Sequence, residues 1–472
     1  MNFPQTDAFD VHGLTFDKAL IERLAGNGPR YTSYPTADRF HAGFGEAEYR
    51  RIAGERFAPG TQRPLSLYVH IPFCNTICYY CACNKIITKD KSKAAVYLDY
   101  LDKEIALQAP LFEGRTRVEQ LHFGGGTPTF LSDEQLTRLV TTLRRNFDFS
   151  PNDEGEYSIE IDPRKVQPHT VALLGQLGFN RMSLGVQDFD PEVQAAVNRI
   201  QSEAETMVVI DAARQHGFKS VSIDLIYGLP KQTLAGFSVT LDKIIAARPD
   251  RLSVYNYAHL PHLFKPQRRI EESDLPSLDA KLDILSLAIS KLADAGYVYI
   301  GMDHFALPDD ELAIAQRAST LHRNFQGYST HDDIDLVALG VSGIGKIGAS
   351  YSQNVRTTDE YYALLDQGKL PLFRGIQLTR DDELRRSLIQ QLMCQFTLDI
   401  RAIEAEWGIV FDNYFAQELP KLAEFIEQGL LIQDAEYIRI LPRGRLLVRN
   451  IAMAFDCYLR TTAPLVRYSK VI

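Results

Sequence analysis

Four of the chain's six cysteines lie within one ten-residue segment. They are Cys74, Cys78, Cys81 and Cys83, separated by gaps of three, two and one residues. Thiolates are soft ligands that bind iron–sulfur clusters and zinc, so this loop indicates a metal centre. Because the loop must bring several thiols to one centre, it constrains the surrounding fold more than any other segment does.

The spacing of the cysteines favours one kind of metal centre over others. Structural zinc sites usually use two separated cysteine pairs, each about two to four residues apart, which close a tetrahedron. The first three cysteines of this loop can instead hold one [4Fe–4S] cluster, leaving one iron without a cysteine. An open metal position is typical of catalytic sites. A compact zinc site and a disulfide pair are the alternatives to a cluster.

The loop resembles the signature of the radical S-adenosylmethionine (SAM) enzymes, in which the open iron takes the amino and carboxylate groups of SAM. The flanking sequence Tyr-Val-His-Ile-Pro-Phe-Cys at residues 68–74, together with Cys83, more specifically resembles the oxygen-independent coproporphyrinogen III dehydrogenases. The resemblance includes residues 29–36, 224–230 and 301–306 and covers essentially the whole chain. It implies that Cys74, Cys78 and Cys81 hold the cluster and that Cys83 accompanies it without ligating it.

The resemblance also implies an activity, the oxygen-independent conversion of coproporphyrinogen III to protoporphyrinogen IX in haem biosynthesis. A reduced cluster cleaves SAM, and the 5′-deoxyadenosyl radical takes a β-hydrogen from a propionate. Carbon dioxide then leaves, an acceptor removes one electron, and a vinyl group remains. Two propionates react, so two SAM molecules are expected, with an electron donor for the cluster and an electron acceptor as partners.

A haem-binding chaperone related to these enzymes is the alternative function. Such relatives keep the cluster loop, but they lack a counterpart of Cys83 and generally lack the segment at residues 30–35. Both features are present in this chain. A purely structural zinc protein is a third interpretation.

Charge and hydropathy exclude several classes of partner. The formal net charge of −9 argues against nucleic acid and against an anionic membrane surface. No apolar run reaches the roughly 18 residues that a membrane helix needs, and residues 1–8 lack a secretion signal. We therefore expect a cytoplasmic protein without a membrane span, and a monomer.

An alternation of β-rich and amphipathic segments begins at residue 66. Six such units with nearly continuous apolar strands predict an α/β fold with a parallel sheet covered by helices. The predicted strands are residues 66–71, 120–123, 157–161, 181–186, 220–226 and 251–257.

The fold class that we predict is a partial (β/α)6 TIM-like barrel, with a doubly wound parallel sheet as the alternative. Residues 1–65 are expected to form an N-terminal extension or strap. Residues 66–370 would form the radical SAM catalytic domain. Residues 371–472 would form a smaller, mainly helical, winged-helix-like C-terminal domain.

The chemically informative motifs follow the predicted strands. Cys74 follows the first, and residues 124–128, 162–163, 187–189 and 228–230 follow the next four. In parallel α/β barrels these loops meet at one face, which carries the active site. Glycines at residues 124–126 let the backbone approach a ligand closely. Glu160 ends a strand, where a carboxylate can accept ribose hydroxyls.

The resemblance assigns further residues to SAM. The first molecule's pocket would be lined by Tyr68, Tyr80, Gly125, Glu160 and Ile344. The second molecule would contact Gly126, Thr127, Gln187, Arg199, Asp224 and Ala258. From the residues alone, Asp162 is equally well explained as a helix cap, and Arg199 as a surface salt bridge.

The sequence assigns no catalytic side chain. Histidines near the proposed loops are candidates: His70, His122, His259, His262, His304 and His322. Candidates for binding the propionates are Arg30, Lys265, Arg268, Arg269 and Arg323, and the sequence does not select among them.

Overall fold

The computed structural model describes residues 8–11, 13–24, 26–55, 63–114, 117–150, 154–331, 334–460 and 468. Parts of the predicted N-terminal extension and of the C-terminal end therefore lie outside the described residues. The strands are β1 (Ala8–Val11), β2 (Leu14–Asp17), β3 (Leu65–Ile71), β4 (Phe73–Cys74), β5 (Ile86–Ile87), β6 (Arg117–Gly125), β7 (Asp148–Phe149), β8 (Glu156–Ile161), β9 (Arg181–Gln187), β10 (Ser220–Tyr227), β11 (Arg251–Asn256), β12 (Val298–Gly301), β13 (His304–Ala306), β14 (His322–Asn324), β15 (Gly327–Ser329), β16 (Asp335–Leu339), β17 (Ile344–Lys346), β18 (Ser350–Asn354), β19 (Leu372–Gln377), β20 (Thr397–Asp399), β21 (Leu431–Gln433) and β22 (Tyr437–Ile440).

Helices alternate with these strands through most of the chain. They are α1 (Lys18–Leu24), α2 (Glu46–Glu55), α3 (Ser92–Gln108), α4 (Asp133–Asn146), α5 (Pro168–Gln176), α6 (Pro191–Ala196), α7 (Glu203–Gln215), α8 (Leu234–Ala247), α9 (Leu278–Asp294), α10 (Glu311–Arg317), α11 (Thr358–Asp366), α12 (Arg380–Gln395), α13 (Ile400–Trp407), α14 (Phe411–Tyr414), α15 (Leu419–Glu427) and α16 (Val448–Ala452). Among the described residues, no helix combines the length and apolarity needed to cross a bilayer.

The main sheet has the order β12-β13-β11-β10-β9-β8-β6-β3-β16-β17-β18-β19. Its centre is parallel, from β16 through β3, β6, β8, β9 and β10 to β11. Antiparallel strands extend both edges. In the described part of the chain the end strands β12 and β19 do not pair, so the sheet stays open. The predicted α/β fold, a partial TIM-like barrel, is confirmed.

All six predicted strands are present, within a few residues of the expected bounds. The prediction missed β16, which is the seventh parallel strand of the sheet and pairs with β3. Each of its five residues is buried. It follows the short, polar β14–β15 hairpin and not an amphipathic helix, so the β–α alternation did not reveal it.

Helix α4 shows how the local sequence determines the helices around the sheet. Ser132 caps the helix, and its side chain and that of Gln135 form a reciprocal capping box. The predicted apolar stripe, including Leu136 and Leu143, is buried. This face packs the helix against the sheet and keeps its charged face in water.

The C-terminal elements hold a segment of the N-terminal extension in place. The Tyr31 hydroxyl donates to Asp456 Oδ2 at 3.0 Å, and Arg449 Nε donates to the Pro29 carbonyl at 3.0 Å. The three-stranded sheet β20-β22-β21 lies among helices α12 to α16. Residues far apart in sequence therefore position the segment that carries Arg30.

Candidate active site

The cysteine loop leaves the carboxyl end of β3 and is closed by short-range backbone pairing. Strand β4, which contains Cys74, pairs in parallel with β5. The Thr88 amide donates to the Cys74 carbonyl at 3.0 Å, and the Cys81 amide donates to the Cys78 carbonyl at 3.2 Å. The cysteines are therefore held in a compact loop at the barrel mouth, as the sequence predicts.

All four cysteines line one cavity of about 250 Å³. Cys78 is buried, Cys74 and Cys81 are half-buried, and Cys83 is exposed. Within the described residues, no three His, Cys, Asp or Glu side chains converge closely enough to hold a single metal ion. A cluster does not require such convergence, because each thiolate binds a different iron. The donor set and its arrangement fit a cluster.

Positive charge and hydrogen-bond donors surround the sulfur atoms. The contact with Cys83, assisted by Lys85, outweighs burial and lowers the pKa of Cys81 to about 6. Lys85 is held in place by the Cys81 carbonyl, which its Nζ contacts at 3.0 Å. Arg199 Nη1 donates to Cys78 Sγ at 3.6 Å, and Thr127 Oγ1 donates to Cys74 Sγ at 3.5 Å. Such surroundings favour thiolates, the form that binds iron.

Burial acts in the opposite direction on Cys74. It raises the pKa of that thiol to about 11, although the hydrogen bond from Thr127 opposes the shift. When a metal binds such a thiol, it displaces the proton, because metal binding is coupled to ligand deprotonation.

The glycine loop after β6 packs against the backbone of the cysteine loop. The Gly126 amide donates to the Ile71 carbonyl at 2.8 Å, and the Thr127 amide donates to the Phe73 carbonyl at 2.9 Å. A Cβ atom on Gly126 would lie 2.7 Å from the carbonyl carbon of Pro72. Only glycine fits at this contact, so residue 126 sets the distance between the two loops.

Glu160 is fixed at the end of β8 by contacts on two sides. Its Oε2 accepts from the Gly125 amide at 3.1 Å, and its Oε1 lies 3.4 Å from His122 Nε2. Burial opposes ionisation, but these contacts outweigh it and hold the pKa of Glu160 below its usual value. The Tyr68 ring stacks on His122 with centroids 5.8 Å apart. Glu160 is therefore an oriented carboxylate, suited to accept hydroxyl hydrogen bonds.

Asp224 is a second carboxylate in the same cavity. Its Oδ2 accepts from Ser183 Oγ at 3.1 Å. Burial, together with the charge of Glu160, raises the pKa of Asp224 to about 6. Glu160 and Asp224 lie on β8 and β10, with β9 between them.

Arg199 lies beside this second carboxylate and is not a surface residue. It is 7% exposed, and its Nη2 contacts the Gly185 carbonyl and lies 3.5 Å from Asp162 Oδ1. The surface salt bridge considered for Arg199 is therefore wrong. Asp162 does cap a short helix, by accepting from the Arg164 amide at 3.2 Å, and in addition it pairs with Arg164 at 2.6 Å.

Most of the predicted site residues meet in the cavity. Those that line it are Cys74, Cys78, Cys81, Tyr80, Gly125, Gly126, Thr127, Glu160, Gln187, Arg199 and Asp224. Tyr68, Ala258 and Ile344 are not among its lining residues. Tyr68 contacts His122 instead, Ala258 accepts from Gln267 Nε2 at 3.2 Å, and Ile344 packs near Phe40.

Three further residues of the site did not emerge from the sequence. Lys85 and Arg164 lie beside the cysteines, and Gln267 donates to the Tyr80 carbonyl at 3.0 Å. The closeness of Lys85 to Cys83 in sequence is a signal for a cation beside the thiolates. Gln267 gave no such signal, because it reaches the site from a short 3-10 helix, Lys265–Arg269, that is distant in sequence.

A larger cavity of about 660 Å³ lies elsewhere, between β14, β17, β18 and α12. Its lining residues include Arg323, one of the candidates for binding the propionates, but none of the cysteines and none of the residues predicted to contact SAM. Size alone therefore does not identify the site.

Comparison with known proteins gives consistent results along the chain. The Radical SAM superfamily model matches residues 68–244, and the HemN C-terminal domain model matches residues 378–447. An oxygen-independent coproporphyrinogen III oxidase of Pseudomonas aeruginosa is 54% identical over 459 residues, covering 97% of this chain and 99% of the relative. The Escherichia coli enzyme of the same name is 51% identical over 462 residues, covering 98% and 100%.

A solved structure agrees with these sequence matches. The coproporphyrinogen III oxidase from Escherichia coli, described as a radical SAM enzyme, superposes with a TM-score of 0.90 at 50% identity. The superposition covers 95% of this chain and 100% of the solved chain.

Proposed function

Because this chain belongs to the family of oxygen-independent coproporphyrinogen III oxidases, which are radical SAM proteins, we propose that it converts coproporphyrinogen III to protoporphyrinogen IX by oxidative decarboxylation of two propionates. This is the same family that the sequence resemblance indicated, where its members were called oxygen-independent coproporphyrinogen III dehydrogenases. The observation that carries the proposal is the cavity that unites three cysteines with two oriented carboxylates. The comparisons give no support to the chaperone alternative.

Membership of the radical SAM family implies a [4Fe–4S] cluster and SAM as cofactors. We propose that Cys74, Cys78 and Cys81 hold the cluster, which when bound supplies the electron that cleaves SAM. Arg199 and Lys85 offset the negative charge of the thiolates. The buried backbone contacts between the glycine and cysteine loops keep water away from one side of the site.

We further propose two SAM sites in the arrangement that the resemblance implies. Glu160, held by Gly125 and His122, would accept the hydroxyls of one molecule. Asp224 and Arg199, with Gln187, Gly126 and Thr127, would contact the other. The support for two sites is that Glu160 and Asp224, oriented by different partners, line one cavity, which Asp162 also lines. Tyr68, Ala258 and Ile344, which do not line this cavity, would contact SAM from positions beside it.

The second site is expected to depend on pH through Asp224. Its pKa of about 6 lies above the usual aspartate value, so the carboxylate is present above about pH 6 and is lost as the pH falls through that value. A carboxylate accepts hydroxyl hydrogen bonds better than its protonated form does. We expect two SAM molecules per cluster-loaded chain, with the affinity of the second site falling about fourfold from about pH 7.5 to about pH 5.5.

Equilibrium dialysis with labelled SAM measures both the stoichiometry and this pH dependence. Asp224→Asn should reduce the stoichiometry towards one and remove the pH dependence. Asp242→Asn, at an exposed position on α8, is the matched control and should behave as wild type. One SAM molecule per wild-type chain at both pH values would contradict the two-site proposal.

The enzymatic proposal is tested by an anaerobic assay of the cluster-loaded chain with coproporphyrinogen III, SAM and a strong reductant. We expect protoporphyrinogen IX, two carbon dioxide molecules and two cleaved SAM molecules per turnover. Cleavage of SAM without loss of carboxyl groups from the substrate would contradict the proposed function.

Several further features are proposed rather than observed. They are the cytoplasmic location, the monomeric state, an electron donor for the cluster, an electron acceptor for the substrate, and the domain limits at residues 65/66 and 370/371. Strand β19, just beyond the second of these limits, pairs with β18 in the main sheet.

A further inference from the structure

The structure assigns a binding site for a substrate propionate to a cluster of side chains on the β13 side of the SAM cavity, beside the larger cavity of about 660 Å³ that Arg323 lines. We call it the Arg323 cluster, and it consists of Arg30, Tyr255, His304, Arg323 and Tyr328. The inference rests on the proposed function, because it concerns how that substrate is held. The ligand class is a carboxylate carried on a tetrapyrrole.

Arg323 is a buried cation without an anionic partner. It is 6% exposed, and its Nε and Nη1 atoms have no hydrogen-bond partner. No ion pair involves it in the part of the chain that the structure describes. Its guanidinium lies 4.8 Å from the centre of the Tyr328 ring, its partner across the β14–β15 hairpin. Burying an unpaired charge is costly, so this arrangement is suited to a negatively charged ligand.

The hairpin holds the Arg323 backbone rigidly while leaving these guanidinium donors free. The Arg323 amide donates to Gln390 Oε1 at 3.2 Å, and Gln390 Nε2 donates back to the Arg323 carbonyl at 2.8 Å. The Tyr328 hydroxyl donates to the Met393 carbonyl at 3.1 Å. Helix α12 thus fixes the hairpin at two points. A preorganised guanidinium binds a carboxylate with less loss of side-chain entropy.

His304 supplies a second unpaired polar group in the same cluster. Its ring meets Tyr255 and Tyr328 edge to face, with centroids 5.9 and 5.2 Å away. Its Nδ1 atom has no partner. Burial and the charge of Arg323 lower the pKa of His304 to about 3, so the ring is neutral. A neutral imidazole still offers one N–H donor to a carboxylate.

Arg30 brings a second guanidinium to the cluster, on its Tyr255 side. It pairs with Asp303, and its Cζ lies 5.8 Å from the centre of the Tyr255 ring. Its side chain is 36% exposed, so it is accessible to a ligand. The adjoining contacts of Tyr31 and Arg449 with the C-terminal elements fix its backbone. With Asp303 counted, the two guanidiniums leave one positive charge in excess at the cluster, in a chain that is acidic overall.

Strand register connects the cluster to the SAM cavity. Asp224, which lines that cavity, is the register partner of Ser253, and Ser253 is the partner of His304. Neighbouring strands lie about 4.8 Å apart, so His304 is roughly 10 Å from Asp224 along this row. A tetrapyrrole carries propionates around its rim. One propionate can therefore bind here while another faces the SAM cavity.

The test measures binding separately from turnover. The probe is coproporphyrin III, the fluorescent oxidised tetracarboxylate, with its tetramethyl ester as the uncharged counterpart. Loss of a charge-assisted contact predicts that Arg323→Met binds the tetracarboxylate about 10- to 100-fold more weakly than wild type does. The ester should bind both proteins equally. Arg317→Met, at an exposed position on α10, is the matched control and should bind as wild type.

The variant should also retain its iron and sulfide content and its SAM binding, because Arg323 is not among the residues that line the SAM cavity. If Arg323→Met does not fold, Arg323→Gln replaces it, and the same loss is expected. Unchanged affinity for the tetracarboxylate in a folded variant would overturn the inference. If the wild-type protein binds and converts the substrate and the variant has the same affinity for the tetracarboxylate, the propionate site is contradicted but the proposed function is not. If wild type neither binds nor converts it, the proposed function fails.

Discussion

Replacing Cys74 with alanine is expected to abolish both cluster assembly and activity. Three thiolates form the whole cysteine donor set of the proposed cluster, and a cubane held by only two is not retained. After anaerobic reconstitution, Cys74→Ala should contain little iron or sulfide and should lack the visible absorbance of the wild-type protein. Protoporphyrinogen IX formation should fall to the level of a reaction without protein.

The matched control is Cys394→Ala. Cys394 is a buried cysteine without a disulfide partner, and it lies outside the cavity. It should retain full iron content, with only the modest loss of stability expected from a small cavity, about 1 kcal/mol. Full cluster content and activity in Cys74→Ala would contradict the ligand assignment. Such a result would direct attention to Cys83, which lines the same cavity.

Gly126→Ala is expected to have the second largest effect. The added methyl group would lie 2.7 Å from the Pro72 carbonyl carbon and 2.8 Å from the Phe73 carbonyl oxygen, and both are backbone atoms that cannot rotate away. The glycine loop must therefore move off the cysteine loop and weaken the Gly126 and Thr127 hydrogen bonds. We expect a loss of about 1–3 kcal/mol in stability and a much larger loss of cluster retention.

Gly54→Ala is the control for this substitution. Gly54 lies in α2, and an added Cβ there would meet no atom within 4 Å. Alanine should stabilise that helix slightly, by up to about 1 kcal/mol, and should leave iron content unchanged. Thermal unfolding and iron analysis of the two variants separate a local effect on the site from a general effect of the substitution. Wild-type iron retention in Gly126→Ala would contradict the structural role of residue 126.

The fold was predictable where one physical rule governs a long segment. Apolar strands alternating with amphipathic helices such as α4 require a parallel sheet, and parallel strands bring their following loops to one face. This rule predicts that Cys74, Gly126 and Glu160, which end or follow parallel strands, meet at one face, whereas Asp224 is assigned by the family resemblance. It failed for β16, because the short β14–β15 hairpin, and not an amphipathic helix, precedes that strand.

The electrostatic surroundings of the site were less predictable. Nothing in the local sequence shows that Arg199 is buried against Cys78, or that Gln267 links two loops, because both contacts join distant segments. The same limit applies to the propionate candidates. Arg30 and Arg323 become distinguishable from Arg268 only when the hairpin and the C-terminal elements bring them to one cluster. Arg268 is instead exposed and bonded to the Pro261 carbonyl.

Mössbauer spectroscopy of the anaerobically reconstituted, ⁵⁷Fe-labelled protein tests the central claim most directly. The account predicts a [4Fe–4S] cluster whose spectrum changes at a single iron when SAM is added, because three cysteines leave one iron open to SAM. Four equivalent, SAM-insensitive iron sites, or the absence of any cubane cluster in carefully reconstituted protein, would contradict it.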